Sequence, residues 1–130
     1  MPWSVTWHPD AAEIRYRGLT TGGDILEAKR QFFSRKFDGP ARYVLCDFSD
    51  IQRFEVSPLE VHTIIAQDRA ALFTHPELAE AVVAIGPLEY GLARTWQIEM
   101  QGTSRRTLVA RTRAEAIAWL ESLGAESFAA

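Results

Sequence analysis

Residues 41–59, ARYVLCDFSDIQRFEVSPL, contain the features that decide the fold of this chain. Residues 43–48 form a nearly continuous apolar run with β-branched and aromatic members, which is typical of a strand buried on both faces. Asp47 lies near the end of this run, so we expect it where the chain leaves the core. Residues 57–60, SPLE, then combine a capping serine, a proline at the first helical position and a glutamate at the third. The sequence therefore predicts a carboxylate and a hydroxyl at the same edge of a sheet.

The rest of the chain alternates between strand and helix patterns. The strand patterns cover residues 3–7, 13–17, 43–48, 81–86 and 107–111. The helix patterns cover residues 24–36, 57–73, 88–100 and a last segment from the Thr112 cap to Gly124. The first two strands should form an antiparallel hairpin, after which residues 18–24 leave the sheet. Strands separated by helices run parallel, so the order β-β-α-β-α-β-α-β-α predicts an α/β fold with a single mixed β-sheet, an N-terminal antiparallel hairpin and covering helices.

Length and composition indicate one domain and exclude several classes of protein. A chain of 130 residues is expected to form a single domain over residues 1–130, with residues 124–130 as a frayed tail. The net charge is −3, with 14 basic and 17 acidic residues spread along the chain, so no basic stripe favours nucleic acid. One cysteine excludes a disulfide framework. Without a leader or a run of apolar residues long enough to cross a bilayer, we expect a cytoplasmic protein with no integral membrane association.

The edge formed by the carboxyl ends of the strands is the expected site. Crossover helices begin there, and their backbone N–H groups favour an anion. The polar residues expected at this edge, as contacts for a partner or ligand, are Asp47, Ser49, Asp50, Glu55 and Ser57. The three carboxylates oppose an anion unless a metal ion, a basic partner or solvent intervenes.

Each of the two central residues has a structural and a functional interpretation. Ser57 is explained fully as a helix cap, or it is a cap that is also phosphorylated. Asp47 either contacts a ligand or partner, or accepts hydrogen bonds from loop N–H groups. A hydrolase triad of Ser57, His62 and Asp47 is disfavoured because residues five apart on a helix do not share a face. No histidine spacing suits a metal, and we expect no cofactor and no catalytic residue.

The third helix carries apolar residues beyond one core stripe. Leu88, Leu92 and Trp96 supply that stripe, so Tyr90, Ile98 and Met100 fall on other faces of the helix. Exposed apolar groups mark interfaces. These three residues are therefore candidates for a homodimer or partner contact.

Two stretches of the chain resemble a known family. Residues 46–51, CDFSDI, and 54–59, FEVSPL, are similar to the signature of STAS domains in bacterial anti-anti-sigma factors. Residues 90–94 and 115–120 resemble the SpoIIAA-like branch of stand-alone bacterial proteins. The resemblance implies a non-enzymatic regulatory module that binds a protein partner, with phosphorylation at Ser57 by a partner kinase as the switch.

A second resemblance gives an alternative function of another class. The same arrangement of sheet and helices resembles the CRAL-TRIO lipid-transfer fold, which implies an apolar pocket under the helices that begin at Ser57 and Leu88. Such a pocket would bind a small hydrophobic ligand or lipid. The residues expected to line it are Phe54, Ile65, Phe73 and Trp96.

Overall fold

The structure, a computed structural model, describes residues 2–37 and 39–128, and these residues form one five-stranded sheet with helices on both faces. The strands are β1 Trp3–Trp7, β2 Ala11–Thr21, β3 Tyr43–Glu55, β4 Ala79–Val83 and β5 Arg106–Ala110. The helices are α1 Gly22–Ser34, α2 Pro58–Ala70, α3 Pro87–Met100 and α4 Arg113–Ser122, with a 3₁₀ turn over Ala71–Phe73. The strand order is β1-β2-β3-β4-β5, in which β1 and β2 are antiparallel and the other pairs are parallel. The predicted α/β fold is confirmed.

Strand β3 lies at the centre of the sheet and has cores on both of its faces. Val44, Cys46 and Phe48 face the layer of α1, α2 and α3, where they join the larger apolar cluster. Tyr43 and Leu45 point to the opposite face and pack with residues of α4. Because successive side chains of a strand alternate between faces, a strand covered on both sides needs apolar residues throughout. This explains why residues 43–48 are apolar at every position except Asp47.

Strands β2 and β3 are longer than the sequence predicts. β3 continues to Glu55, and its last residues pair in parallel with residues 18–21 of β2. The expectation that residues 18–24 leave the sheet is therefore wrong for residues 18–21, which belong to β2, and the placement of Asp47 at the end of β3 is also wrong. The extension is a two-stranded ribbon with mostly exposed side chains, so its backbone pairing does not require apolar residues. Its polar sequence resembles that of a loop for this reason.

The beginnings of α1, α2 and α3 lie close together, as the parallel connections predict. A Cβ atom at Gly22, the first residue of α1, would come within 2.5 Å of Cδ of Glu60 in the first turn of α2. Residues at the beginnings of α2 and α3 line a common groove, described below. Helix α4 lies on the other face of the sheet.

The end of the chain packs against the sheet. Gly124 follows α4 with a φ of +109°, a conformation that favours glycine. Ala125 and Phe128 are buried in the cluster under α4. The expected frayed tail is therefore wrong for residues 124–128, while 129 and 130 lie outside the described residues. Each helix in the described part of the chain is too short or too polar to cross a membrane.

Candidate functional site

The beginnings of α2 and α3 form an exposed apolar surface around a groove. The side chains of Leu59 and Leu88 are 75% and 67% exposed, although both are large and apolar. The groove between the two helices has a volume of about 450 Å³. Its walls include Val56, Pro58, Val61, Ile65, Pro87 and Leu92. We call residues 56–59 and 87–88, all exposed except the half-buried Val56, the helix-start surface.

Ser57 lies within this surface and caps α2. Its Oγ accepts a hydrogen bond from the Glu60 N–H at 3.2 Å, and Glu60 Oε1 accepts one from the Ser57 N–H at 2.9 Å. The predicted capping box is therefore confirmed. The residue is exposed, so its hydroxyl is accessible as well as structural.

Asp47 lies on the opposite face of the sheet from Ser57. Its side chain is 2% exposed, and Oδ1 accepts a hydrogen bond from the Ser49 N–H at 2.9 Å. Oδ2 lies 3.6 Å from Nη1 of Arg113, in the first turn of α4, and 3.9 Å from Nε of Arg15. The expectation that Asp47 and Ser57 share one edge is wrong, because odd-numbered residues at this end of β3 point toward α4. Asp47 instead accepts a hydrogen bond from a nearby backbone N–H group and lies close to two arginines.

The other residues of the predicted edge are spread along the β2–β3 ribbon. Ser49 and Asp50 are exposed within β3. Glu55 ends the strand, and its Oε1 lies 2.6 Å from Nη2 of Arg53. Of the five predicted edge residues, only Glu55 and Ser57 lie beside the beginning of α2.

The predicted apolar pocket is wrong as a set of residues. Phe73 is 91% exposed at the end of the 3₁₀ turn, and Ile65 lines the surface groove. Trp96 lines a small interior cavity, whereas the ring of Phe54 packs 6.0 Å from that of Phe48. The four side chains do not enclose a common space, because the helices that carry two of them pack directly on the sheet.

The predicted interface on α3 is also largely wrong. Met100 is fully buried, and the ring of Tyr90 is half-buried with the guanidinium of Arg111 3.7 Å from its centroid. Ile98 alone of the three is more than half exposed. The helix turns Ala93, Trp96 and Met100 toward the core, so Leu88 falls on the surface rather than in the expected core stripe.

A buried ionic centre lies between the sheet and the helices, and the sequence analysis missed it. Four charged residues form it: Lys29 of α1, Asp68 of α2, Glu80 of β4 and Arg105 just before β5. Lys29 Nζ lies 2.7 Å from Asp68 Oδ2 and 2.6 Å from Glu80 Oε2. Arg105 Nη1 donates to Glu80 Oε1 at 3.0 Å. The indole N–H of Trp96 donates to Asp68 Oδ2 at 2.6 Å, so α3 is also tied to the centre.

The charges of the centre shift each other's pKa values. Burial alone would lower the pKa of Lys29, but the charges of Asp68 and Glu80 outweigh it and raise that pKa above its ordinary 10.5. Burial alone would raise the pKa of Glu80, but Lys29 and Arg105 hold it below its ordinary 4.5. Burial raises the pKa of Asp68 despite the same two cations. Two cations and two carboxylates leave the centre without net charge.

One signal in the sequence points to this centre. Lys29 interrupts the apolar face of α1, Asp68 that of α2, and Glu80 stands among apolar residues of β4. Charged residues are almost never fully buried unless they are paired. A charge on each of three buried faces therefore indicates partners, although it does not say which. Among the described residues, the ionic centre included, no three His, Cys, Asp or Glu side chains are grouped to hold a metal ion.

Alkaline pH should destabilise the protein through three groups near this centre. Burial raises the pKa values of Tyr16 and Cys46 above their ordinary 10.0 and 9.0, and the pKa of Lys29 is raised as described. All three keep their protons in the folded state at a pH where the unfolded chain loses them, so stability is full below pH 9.0 and falls above it. We expect urea unfolding at increasing pH to show this loss, with a shallower slope in Tyr16→Phe. An equal slope in that variant would contradict the assignment.

Several solved structures have the same fold. The anti-sigma factor antagonist SpoIIAA in its unphosphorylated form is 11% identical, with a TM-score of 0.59 over 92% of this chain and 97% of that chain. The Bacillus cell fate determinant SpoIIAA in its phosphorylated form is 15% identical, with a TM-score of 0.51 over 91% of this chain and 98% of that chain. An uncharacterised protein with a SpoIIAA-like fold from Shewanella loihica PV-4 is 16% identical, with a TM-score of 0.54 over 91% of each chain.

No protein-family model matches the sequence of this chain, and no curated protein matches it. The similar structures cover nearly the whole of this chain, whose elements occur in the predicted order. The chain therefore has the STAS, SpoIIAA-like fold.

Proposed function

We propose that this chain is a non-enzymatic regulatory module that binds a partner protein through the helix-start surface. The observation that carries the proposal is the exposure of Leu59 and Leu88 beside the α2–α3 groove. Burying apolar side chains of this size against a partner removes apolar surface from water and stabilises a complex. The similarity to SpoIIAA, an anti-sigma factor antagonist, supports a protein as the partner.

Phosphorylation of Ser57 is the proposed switch. SpoIIAA has been solved in phosphorylated and unphosphorylated forms, and Ser57 is the exposed hydroxyl of the helix-start surface. A phosphoryl group adds a charge of about −1.5 to −2. The helix dipole favours that charge at the beginning of α2, whereas Glu60 and Glu55 oppose it. Because the helix dipole and the two glutamates have opposite effects on this charge, phosphorylation should change the stability of the fold little. Its main consequence is a strongly charged group on an apolar docking surface.

The Ser57→Asp variant should separate the effect of a negative charge on partner binding from the effect of the helix cap on stability. Aspartate caps helices as well as serine does, so we expect unchanged stability but at least tenfold weaker partner binding, about 1.4 kcal/mol. Thr112→Asp is the matched control, because Thr112 caps α4 on the opposite face. The measurement is recovery and titration of the partner isolated with the wild-type protein. Equal binding by wild type and Ser57→Asp, or an equal loss in both variants, would contradict the proposal.

The modification itself is tested in protein purified from its own host. We expect intact mass and peptide mapping to show one added phosphoryl group on Ser57 in part of the population. An unmodified serine under every growth condition would leave the helix-start surface without its proposed switch. Measurement of the molecular mass of the protein in solution would show whether the chain forms a homodimer, in which a second copy is the alternative occupant of this surface.

A further inference from the structure

A small interior cavity adjoins the buried ionic centre. It lies between the sheet and helices α1 to α3 and has a volume of about 40 Å³. Its wall is mostly apolar, and the polar groups within it belong to Tyr16, Lys29, Cys46 and Glu80. One water molecule requires about 10–15 Å³ of such space. The cavity therefore has room for about three water molecules at most and for no ligand much larger.

Tyr16 gives the cavity a polar group that lacks a partner. The residue is fully buried, and its hydroxyl makes no hydrogen bond to any described residue. Buried hydroxyl groups are nearly always hydrogen-bonded, to protein or to ordered water. By contrast, the hydroxyl of Tyr43, on the other face of the sheet, donates to the Leu123 carbonyl oxygen at 3.0 Å.

Lys29 and Glu80 provide the further partners that a buried water needs. The ammonium of Lys29 has three N–H donors, of which two are directed to Asp68 and Glu80. Glu80 Oε2 receives Lys29 and the weak thiol donor of Cys46 at 3.5 Å. With Tyr16, the cavity wall offers donors and acceptors to a molecule that can both give and accept hydrogen bonds.

The charge of the surroundings decides the chemical class of that molecule. Two cations and two carboxylates already balance, so an ion in the cavity would bring an uncompensated buried charge. We propose that the cavity is a binding site for one or two water molecules, which join the Tyr16 hydroxyl to Lys29 and Glu80. The ionic centre then extends through water to β2, so that α1, α2, α3, β4 and β2 share one hydrogen-bonded network.

Water relaxation dispersion, which counts internal waters that outlast molecular tumbling, tests this site. We expect the wild-type protein to hold about one or two more such waters than Tyr16→Phe. Tyr43→Phe is the control, since that hydroxyl already has a protein partner, and its count should equal that of the wild type. An equal count in wild type and Tyr16→Phe would overturn the proposal.

A second measurement uses the wild-type protein alone, so it decides the matter even if a variant does not fold. Dry apolar cavities take up xenon, whereas hydrated polar ones do not. We expect no xenon in this cavity under pressure, read from the chemical shifts of its lining residues. Uptake of xenon would show a dry cavity and overturn the water site, without bearing on partner binding at the helix-start surface.

Discussion

Lys29→Met should destabilise the protein by about 3–5 kcal/mol, the usual cost of removing one partner from a buried ion pair. Methionine fills a similar volume but leaves Asp68 and Glu80 with only Arg105 between them, at 3.7 and 3.0 Å. Two buried carboxylates then face one cation. Urea unfolding at neutral pH measures the change in the free energy of unfolding.

The neighbouring residue provides the control for this prediction. Arg30 pairs with Glu27 on the exposed side of α1, so Arg30→Met removes a cation from the same helix without disturbing the buried centre. We expect no measurable change there. Adding Glu80→Gln to Lys29→Met restores charge balance and should recover part of the loss, because the two residues are directly coupled. Equal stability of Lys29→Met and wild type would show that the ionic centre does not support the fold.

Replacing Leu59 and Leu88 together by aspartate should weaken partner binding at least roughly 30-fold, or about 2 kcal/mol. The reason is that each carboxylate would have to lose its water against an apolar partner surface. Because both leucines are mostly exposed, we expect the free energy of unfolding to stay close to that of the wild type. Titration of the isolated partner, together with urea unfolding, separates the two effects.

Phe73→Asp serves as the matched control for the docking surface. Phe73 is 91% exposed, more than either leucine, but it lies beyond the far end of α2 from Ser57. If exposed apolar groups bind the partner nonspecifically, this variant will lose binding as well. Unchanged binding in the leucine variant would refute the helix-start surface as the docking site, whatever the state of Ser57.

The sequence determined the order and type of the elements because those signals are local. The apolar run at 43–48 needs only its own composition to indicate a buried strand, and the capping box at 57–60 forms within one turn of helix. The chirality of parallel connections then leaves few topologies. The gathering of three helix beginnings followed from that topology, and so did the position of Ser57 at one of them.

Only the tertiary structure decided which side chains meet. Residues 49–55 are mostly polar, and their strand conformation comes from pairing with a segment more than thirty residues earlier, residues 17–21. That extension moved Asp47 away from the predicted edge. The ionic centre has the same cause: Lys29 and Asp68 are 39 residues apart, and Glu80 and Arg105 are 25 apart. Local patterns report how a residue relates to its neighbours in the chain, whereas the partner of a buried charge depends on which helices and strands pack together.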